Sequence, residues 1–217
     1  MKVERTDTRS RILDAAIGLF NADGTASVST NHIARAAGIS PGNLYYHFKN
    51  KEDVIRAILE RMYEAWGRVW QLPADRTLTM TDFGNAIRRS MDIEREYRFF
   101  YRELVALIRR DPQLGRRHRA IQQQRTGEQA RWSERFAAAG VLRLPTDPHD
   151  ARALLTGAWV ISNYWVSFLE ASGAAVGRAQ MDAGVDLIMR LLRPYLVGAD
   201  ARQTRRISHT RSRHDQA

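Results

Sequence analysis

Apolar residues recur at three- and four-residue intervals along nearly the whole chain, and runs alternating apolar with polar residues are too short to build strands. The pattern predicts an all-α fold of about nine helices. Helix one begins at Thr8 and carries Ile12, Ala15, Ala16, Leu19 and Phe20 on one face, with Gly24 as its stop. Ser29 is placed to N-cap a two-turn helix holding Ile33, Ala34 and Ala37, and Gly38 sits where a left-handed terminal residue is wanted. Ser40-Pro41 opens a third short helix through Leu44, Tyr45 and Phe48, broken at Lys49-Asn50-Lys51. The fourth is long, from Glu52 to Trp70, and Leu72-Pro73 ends it. Two helices are expected between Thr81 and Asp111-Pro112, one from about Pro112 to Ala139, one from Pro148 to Ala171, and a last from about Val176 to Leu196.

Composition narrows the class. At 217 residues, 44% hydrophobic and 27% charged, the chain can bury its own core as one domain or as a small domain joined to a medium one. The absence of cysteine removes disulfides, thiolate metal sites and cysteine nucleophiles together. No apolar stretch follows a basic head at the start, and the charge-free run from Leu154 to Leu169 is shorter than the roughly 20 residues of a bilayer span. A cytoplasmic protein without a membrane segment is therefore expected. The net charge of +10 points to an anionic partner, yet residues 1–60 hold eight Lys/Arg against seven Asp/Glu, so the surplus lies beyond them. From Gly198 the arginine-rich tail has almost nothing apolar and reads as disordered.

Two short helices joined through Ala37-Gly38-Ile39-Ser40 form a helix-turn-helix signature. The small alanines let the helices approach closely, so that the second can project into a groove. An ordinary helical hairpin has the same spacing. What separates the two is the side-chain set: Gly42 and Asn43 leave a small polar surface, with Tyr45, Tyr46, His47, Lys49 and Lys51 supplying donors beside it.

From Thr8 to Leu59 the chain resembles the TetR family of bacterial one-component regulators. The resemblance rests on Ile33-Ala34, Ala37-Gly38-Ile39-Ser40, Gly42, Leu44-Tyr45, His47-Phe48 and Lys51-Glu52 in the family's order and spacing. It implies a helix-turn-helix DNA-binding domain over residues 1–52, a ligand-binding and dimerisation domain over 53–197, and the basic tail over 198–217. It also implies a homodimer on a double-stranded operator, a small-molecule effector and no cofactor or metal. Carried over position by position, base contacts fall on Pro41, Gly42 and Asn43, and phosphate or thymine-methyl contacts on Ser29, Thr30, Tyr45, Tyr46, His47 and Lys51. Gly42 has no side chain to read a base, which leaves Asn43 as the polar reader. Tyr45 has a core reading beside its DNA role.

By the same resemblance the effector pocket falls among Trp66, Trp70, Phe83, Met91, Phe100, Tyr101, Leu104 and Trp132. Such walls suit an apolar or planar ligand, and each of these residues has a plain core reading as well. The penultimate helix is apolar on more than one face, and with the last helix it suggests a four-helix dimer interface through Leu155, Trp159, Tyr164, Phe168, Ile188 and Leu192. A cluster of Arg109, Arg110, Arg116, Arg117, Arg119 and Arg125 has three readings: phosphate attraction, an anionic effector's entrance, or a solvated face. Arg5, Arg9 and Arg11 could form a minor-groove arm or a solvated helix end. Two other classes compete with the regulator. A protein binding nucleic acid by charge alone would act through the arginines. An enzyme would need chemistry that His118, His149, His209 and His214 do not provide by metal-ligand spacing, and Glu94, Glu96 and Glu103 look paired with Arg95, Arg98 and Arg102. The expectation is not an enzyme.

Overall fold

The structure, a computed structural model, describes residues 7–197. The expectations for Arg5 and for the tail from Gly198, with His209 and His214, fall outside these residues. Among the described residues there are nine α-helices: α1 (Thr8–Ser27), α2 (Thr30–Ala36), α3 (Pro41–His47), α4 (Lys51–Val69), α5 (Met80–Glu96), α6 (Arg98–Arg110), α7 (Pro112–Ala138), α8 (Pro148–Ala171) and α9 (Arg178–Leu192). A 3-10 turn, Arg193–Tyr195, follows α9, and one isolated antiparallel bridge joins Leu142 to Leu196. None of these helices is long and apolar enough to cross a membrane.

The helix starts follow the local signals. Ser29 Oγ accepts the His32 N–H at 3.2 Å and Ser40 Oγ accepts the Asn43 N–H at 3.2 Å, each capping an otherwise unpaired first turn. Asp147 caps α8 by accepting the His149 N–H. Three boundaries differ from expectation, one being the end of α9, which gives way after Leu192 to the 3-10 turn. Gly24 kinks α1 instead of ending it: its φ is +76°, and helical turns resume to Ser27. They are held by the Glu103 carboxylate, which takes the Thr25 N–H at 3.0 Å, and by the Lys51 ammonium, which donates to the carbonyls of Thr25 at 2.6 Å and Val28 at 2.8 Å. α9 starts at Arg178 because Gly177 is extended.

Two compact units result. One holds the described residues up to Ala65 together with Glu96–His118, the other Trp66–Arg95 with those from Arg119 on. In the N-terminal unit α6 packs on α1 through Phe20 and Phe99, both fully buried with ring centroids 5.1 Å apart. Asn21 sits at the start of α6, donating to the Glu96 carbonyl at 2.7 Å and accepting the Phe99 N–H at 3.0 Å. Three successive positions on one face of α4 meet the start of α7: Arg56 donates to Asp111, Glu60 accepts two bonds of 2.6 Å from Arg117, and Tyr63 meets His118 Nδ1 at 2.6 Å. Burial alone would raise the Asp111 carboxyl, but the Leu114 N–H, Arg56 and the Gln113 N–H hold it below the usual carboxylate range. The second unit buries Leu78, Phe83, Ile87, Met91, Phe136, Val185, Ile188, Met189 and Leu192 in a common core, where α8 lies against α9.

Candidate nucleic-acid interface and ligand cavity

The α2-turn-α3 corner is built from the core outward. Ile33, Ala34 and Leu44 are fully or almost fully buried, so the two helices share one apolar contact and turn their remaining faces to solvent. The turn needs Gly38, whose φ of +65° is left-handed. A Cβ there would meet nothing within 4 Å, so Gly38→Ala is expected to cost only its backbone strain, about 1–2 kcal/mol. Chemical denaturation of the variant checks this, and a neutral result would mean the turn relaxes out of the left-handed region.

On the face presented by α3, Pro41, Gly42, Asn43 and Tyr46 are exposed, Tyr46 at 86%. The Tyr46 ring stands edge-on to His47, with centroids 5.2 Å apart. Tyr45 is half exposed, and its hydroxyl lies 3.0 Å from Thr30 Oγ1, pinning α3 to the start of α2. Ser29 is committed as the α2 cap, and the Lys51 ammonium already serves two carbonyls of α1 and the residue after it. Exposed side chains left to reach a duplex on and beside α3 are those of Asn43, Tyr45, Tyr46 and Lys49, with His47 partly buried among them.

In the second unit a cavity of about 300 Å³ is walled by aromatic rings. Trp70 stacks on Trp132 with centroids 4.3 Å apart and planes 13° from parallel, and Phe83 meets Phe136 edge-on at 5.0 Å. The Arg125 guanidinium lies 3.7 Å over the Trp66 ring. Of the eight residues expected to line a pocket, Trp66, Trp70, Phe83 and Trp132 do so. Phe100, Tyr101 and Leu104 belong to α6 in the other unit, and Met91 is buried in its unit's core without lining the cavity. The residues expected at a dimer interface also divide. Leu155, Trp159, Ile188 and Leu192 line the cavity, while Tyr164 at 47% and Phe168 at 59% exposure stand on the outside of α8. Val160, one turn before Tyr164, and Leu187 on α9 are exposed too, and periodicity alone singles out neither.

Behind the cavity wall lies a fully buried carboxyl, Glu94, for which sequence spacing predicts an arginine partner. It instead accepts a 2.6 Å bond from Ser162 Oγ, and its second oxygen has no hydrogen-bond partner among the described residues. Burial pushes this carboxyl well above its ordinary value, against the smaller opposing pulls of Ser162 and Arg125. Glu103 does pair with Arg102, at 3.8 Å, and also accepts the Thr25 hydroxyl. The clustered arginines have different surroundings: Arg117 pairs with Glu60, Arg110 reaches Thr25 Oγ1 at 3.4 Å, Arg125 covers Trp66, and Arg109, Arg116 and Arg119 are exposed.

Family models match both parts of the chain, one described as bacterial regulatory proteins of the tetR family over residues 12–58 and one, TetR, as a bacterial transcriptional repressor over residues 61–203. The chain belongs to the TetR family of transcriptional regulators. A TetR-family transcriptional regulator from Marinobacter aquaeolei VT8 has a similar structure, with a TM-score of 0.82 at 30% identity over 94% of this chain and 98% of that one. The regulator AcrR of Shigella flexneri is 46% identical over 59 residues, about 27% of either protein, so the likeness spans only about a quarter of that relative. SmeT, solved as a complex with triclosan, shares the fold at a TM-score of 0.58 and 21% identity, over 89% of this chain and 94% of that one. TetR-family regulators are a non-enzymatic class, which removes the enzyme reading. In this TetR-family member the helix-turn-helix is legible from local signals, whereas Phe136, Gln129, Arg125 and the α8–α9 residues of the cavity wall carry no signal distinguishing them from core.

Proposed function

We propose that this TetR-family regulator is a homodimeric repressor that grips a palindromic operator and lets go when a small, largely apolar or aromatic effector fills the cavity. The observation that carries the reading is the aromatic-walled cavity of about 300 Å³ in the second unit of a helix-turn-helix protein. Stacked indoles and edge-on phenyl rings offer flat apolar surface, and the SmeT–triclosan complex is a case of a related fold holding a small molecule. Asn43 is the base reader, Pro41 and Gly42 let the backbone of α3 approach the groove, and Thr30, Tyr45, Tyr46 and His47 hold phosphates or thymine methyls. Ser29 and Lys51 act mainly on the protein itself, as a cap and a clamp on α1.

Support for the dimer is the exposed stripe of Val160, Tyr164 and Phe168, four residues apart on α8, together with exposed Leu187 on α9. A two-fold dimer requires a two-fold operator, with recognition helices about 34–36 Å apart to meet successive major grooves. α4 begins at Lys51 beside the helix-turn-helix and ends at Val69, so a ligand that repositions Trp66 pulls on the same helix that follows the DNA-binding helices in the chain.

Selection of bound duplexes from a random DNA pool at fixed salt tests this. The wild-type protein is expected to enrich a palindrome and Tyr46→Ala to lose it. No enrichment, or enrichment indifferent to Tyr46, would overturn the reading in favour of attraction by charge alone.

A further inference from the structure

The N-terminal unit has a second concavity, a groove of about 820 Å³ that begins at Tyr46, His47 and Lys49 and continues along α4 to Arg116 and Arg117 on α7. Every residue lining it belongs to that unit. Its acids are already matched. Asp53 takes Arg56, which also serves Asp111, and Glu60 accepts from Nε and Nη2 of Arg117. What remains is cationic: Arg9, Lys49 and Arg116 are exposed and have no ion-pair partner among the described residues. Arg9 is not free to wander, because its guanidinium lies 5.1 Å over the Phe48 ring.

We propose that this groove is a second DNA-binding surface, in which Arg9, Lys49 and Arg116 hold the sugar–phosphate backbone beyond the base pairs read by α3. This role presupposes the repressor function proposed above, with α3 as the reading helix. Three observations favour a polyanionic strand over a small molecule or a protein. The groove is continuous with the end of α3 at exposed Tyr46 and partly buried His47, so a duplex docked there runs on past its mouth. The leftover charges are all of one sign and are spread along the groove, which suits a repeating row of phosphates better than one anion. The surrounding ion pairs hold the α7 start rigidly to α4, since Asp111 accepts the Gln113 and Leu114 N–H groups while it binds Arg56. Arg116 is thus presented from a fixed helix end, not from a loose loop. It sits on the arginine-rich helix start that the helix-turn-helix does not include, and it accounts for part of the basic surplus lying beyond residue 60.

Equilibrium binding of the full-length protein across a salt series is the test, with wild type, Arg116→Gln, Arg116→Lys and, as a control outside the groove, Arg119→Gln. Two duplexes are used: the selected operator extended by one helical turn on each side, and a random-sequence duplex of the same length. For each phosphate that is no longer neutralised, Arg116→Gln is expected to flatten the slope of log affinity against log salt by about 0.9, so its defect shrinks about threefold when salt is raised fourfold. Sequence preference stays as in wild type, Arg116→Lys keeps the slope, and Arg119→Gln leaves it unchanged. A wild-type slope for Arg116→Gln on both duplexes overturns the proposal, as does an equal flattening by Arg119→Gln, which would make the effect one of net charge. Failure of the wild type to select any operator would sink the repressor reading instead, and the random duplex would still decide whether Arg116 contacts phosphate.

Discussion

Phe99→Ala is expected to destabilise the N-terminal unit by about 3–5 kcal/mol, which is a large part of a marginal folding free energy. Phe99 is fully buried, with Phe20 of α1 at 5.1 Å on one side and Phe100 at 6.4 Å on another. Neighbours that are themselves large and fully buried cannot collapse into the space, so the cavity term adds to the lost transfer energy. The Phe99 N–H is also, with the Glu96 carbonyl, one of the two groups through which Asn21 holds the start of α6. Loosening that contact frees α1, on which the helix-turn-helix packs, so DNA affinity should fall with stability. Urea denaturation followed by far-UV dichroism reads the effect, with Val105→Ala, more than half exposed on the same helix, as a control expected within about 0.5 kcal/mol of wild type. If Phe99→Ala cost no more than that control, the α1–α6 contact would not be the one holding the unit together.

Glu94→Gln is expected to raise stability at high pH and to leave it unchanged near pH 4.5. Burial holds the folded carboxyl well above the 4.5 of an ordinary glutamate, so below about that pH both folded and unfolded chains keep the proton and the variant gains nothing from titration. As pH rises past 4.5 the unfolded chain releases the proton that the folded chain keeps. The unfolded state is then favoured, and wild-type stability declines by up to about 1.4 kcal/mol per pH unit until the folded carboxyl ionises. Glutamine removes this decline while keeping an acceptor for Ser162 Oγ. Thermal unfolding at about pH 4.5 and about pH 8 should show a gap between variant and wild type that opens only at the higher pH. The Arg125 charge and the Ser162 bond both oppose the shift, and a gap independent of pH would mean they win and the carboxyl is ionised in the folded state throughout.

Much of the fold is readable from the chain because its signals are local. Ser29 and Ser40 cap the helices that follow them, Gly38 is left-handed at the turn, and Pro112 and Pro148 open α7 and α8. Each of these depends on residues no more than four apart, and backbone hydrogen bonding alone requires them. Gly24 marks the boundary of that logic. Glycine suits its left-handed φ, but the helix resumes after it because Glu103 and Lys51, from distant parts of the chain, satisfy the groups the kink sets free.

Sequence by itself determined that the chain is all-helical and that its N-terminal helices form a helix-turn-helix corner, while it left Tyr45 of α3 between core and surface. Periodicity assigns each helix an apolar face, and caps and glycines assign its ends. Only the tertiary structure decided what each apolar face meets. It sent Phe100 and Tyr101 into the core of the N-terminal unit, turned Leu155, Trp159, Ile188 and Leu192 towards the cavity, left Tyr164 and Phe168 outside, and buried Glu94 on Ser162. The physical reason is that an apolar stripe lowers its free energy equally well against any apolar partner. Which partner it finds depends on how whole helices are placed, and no spacing within a single helix records that.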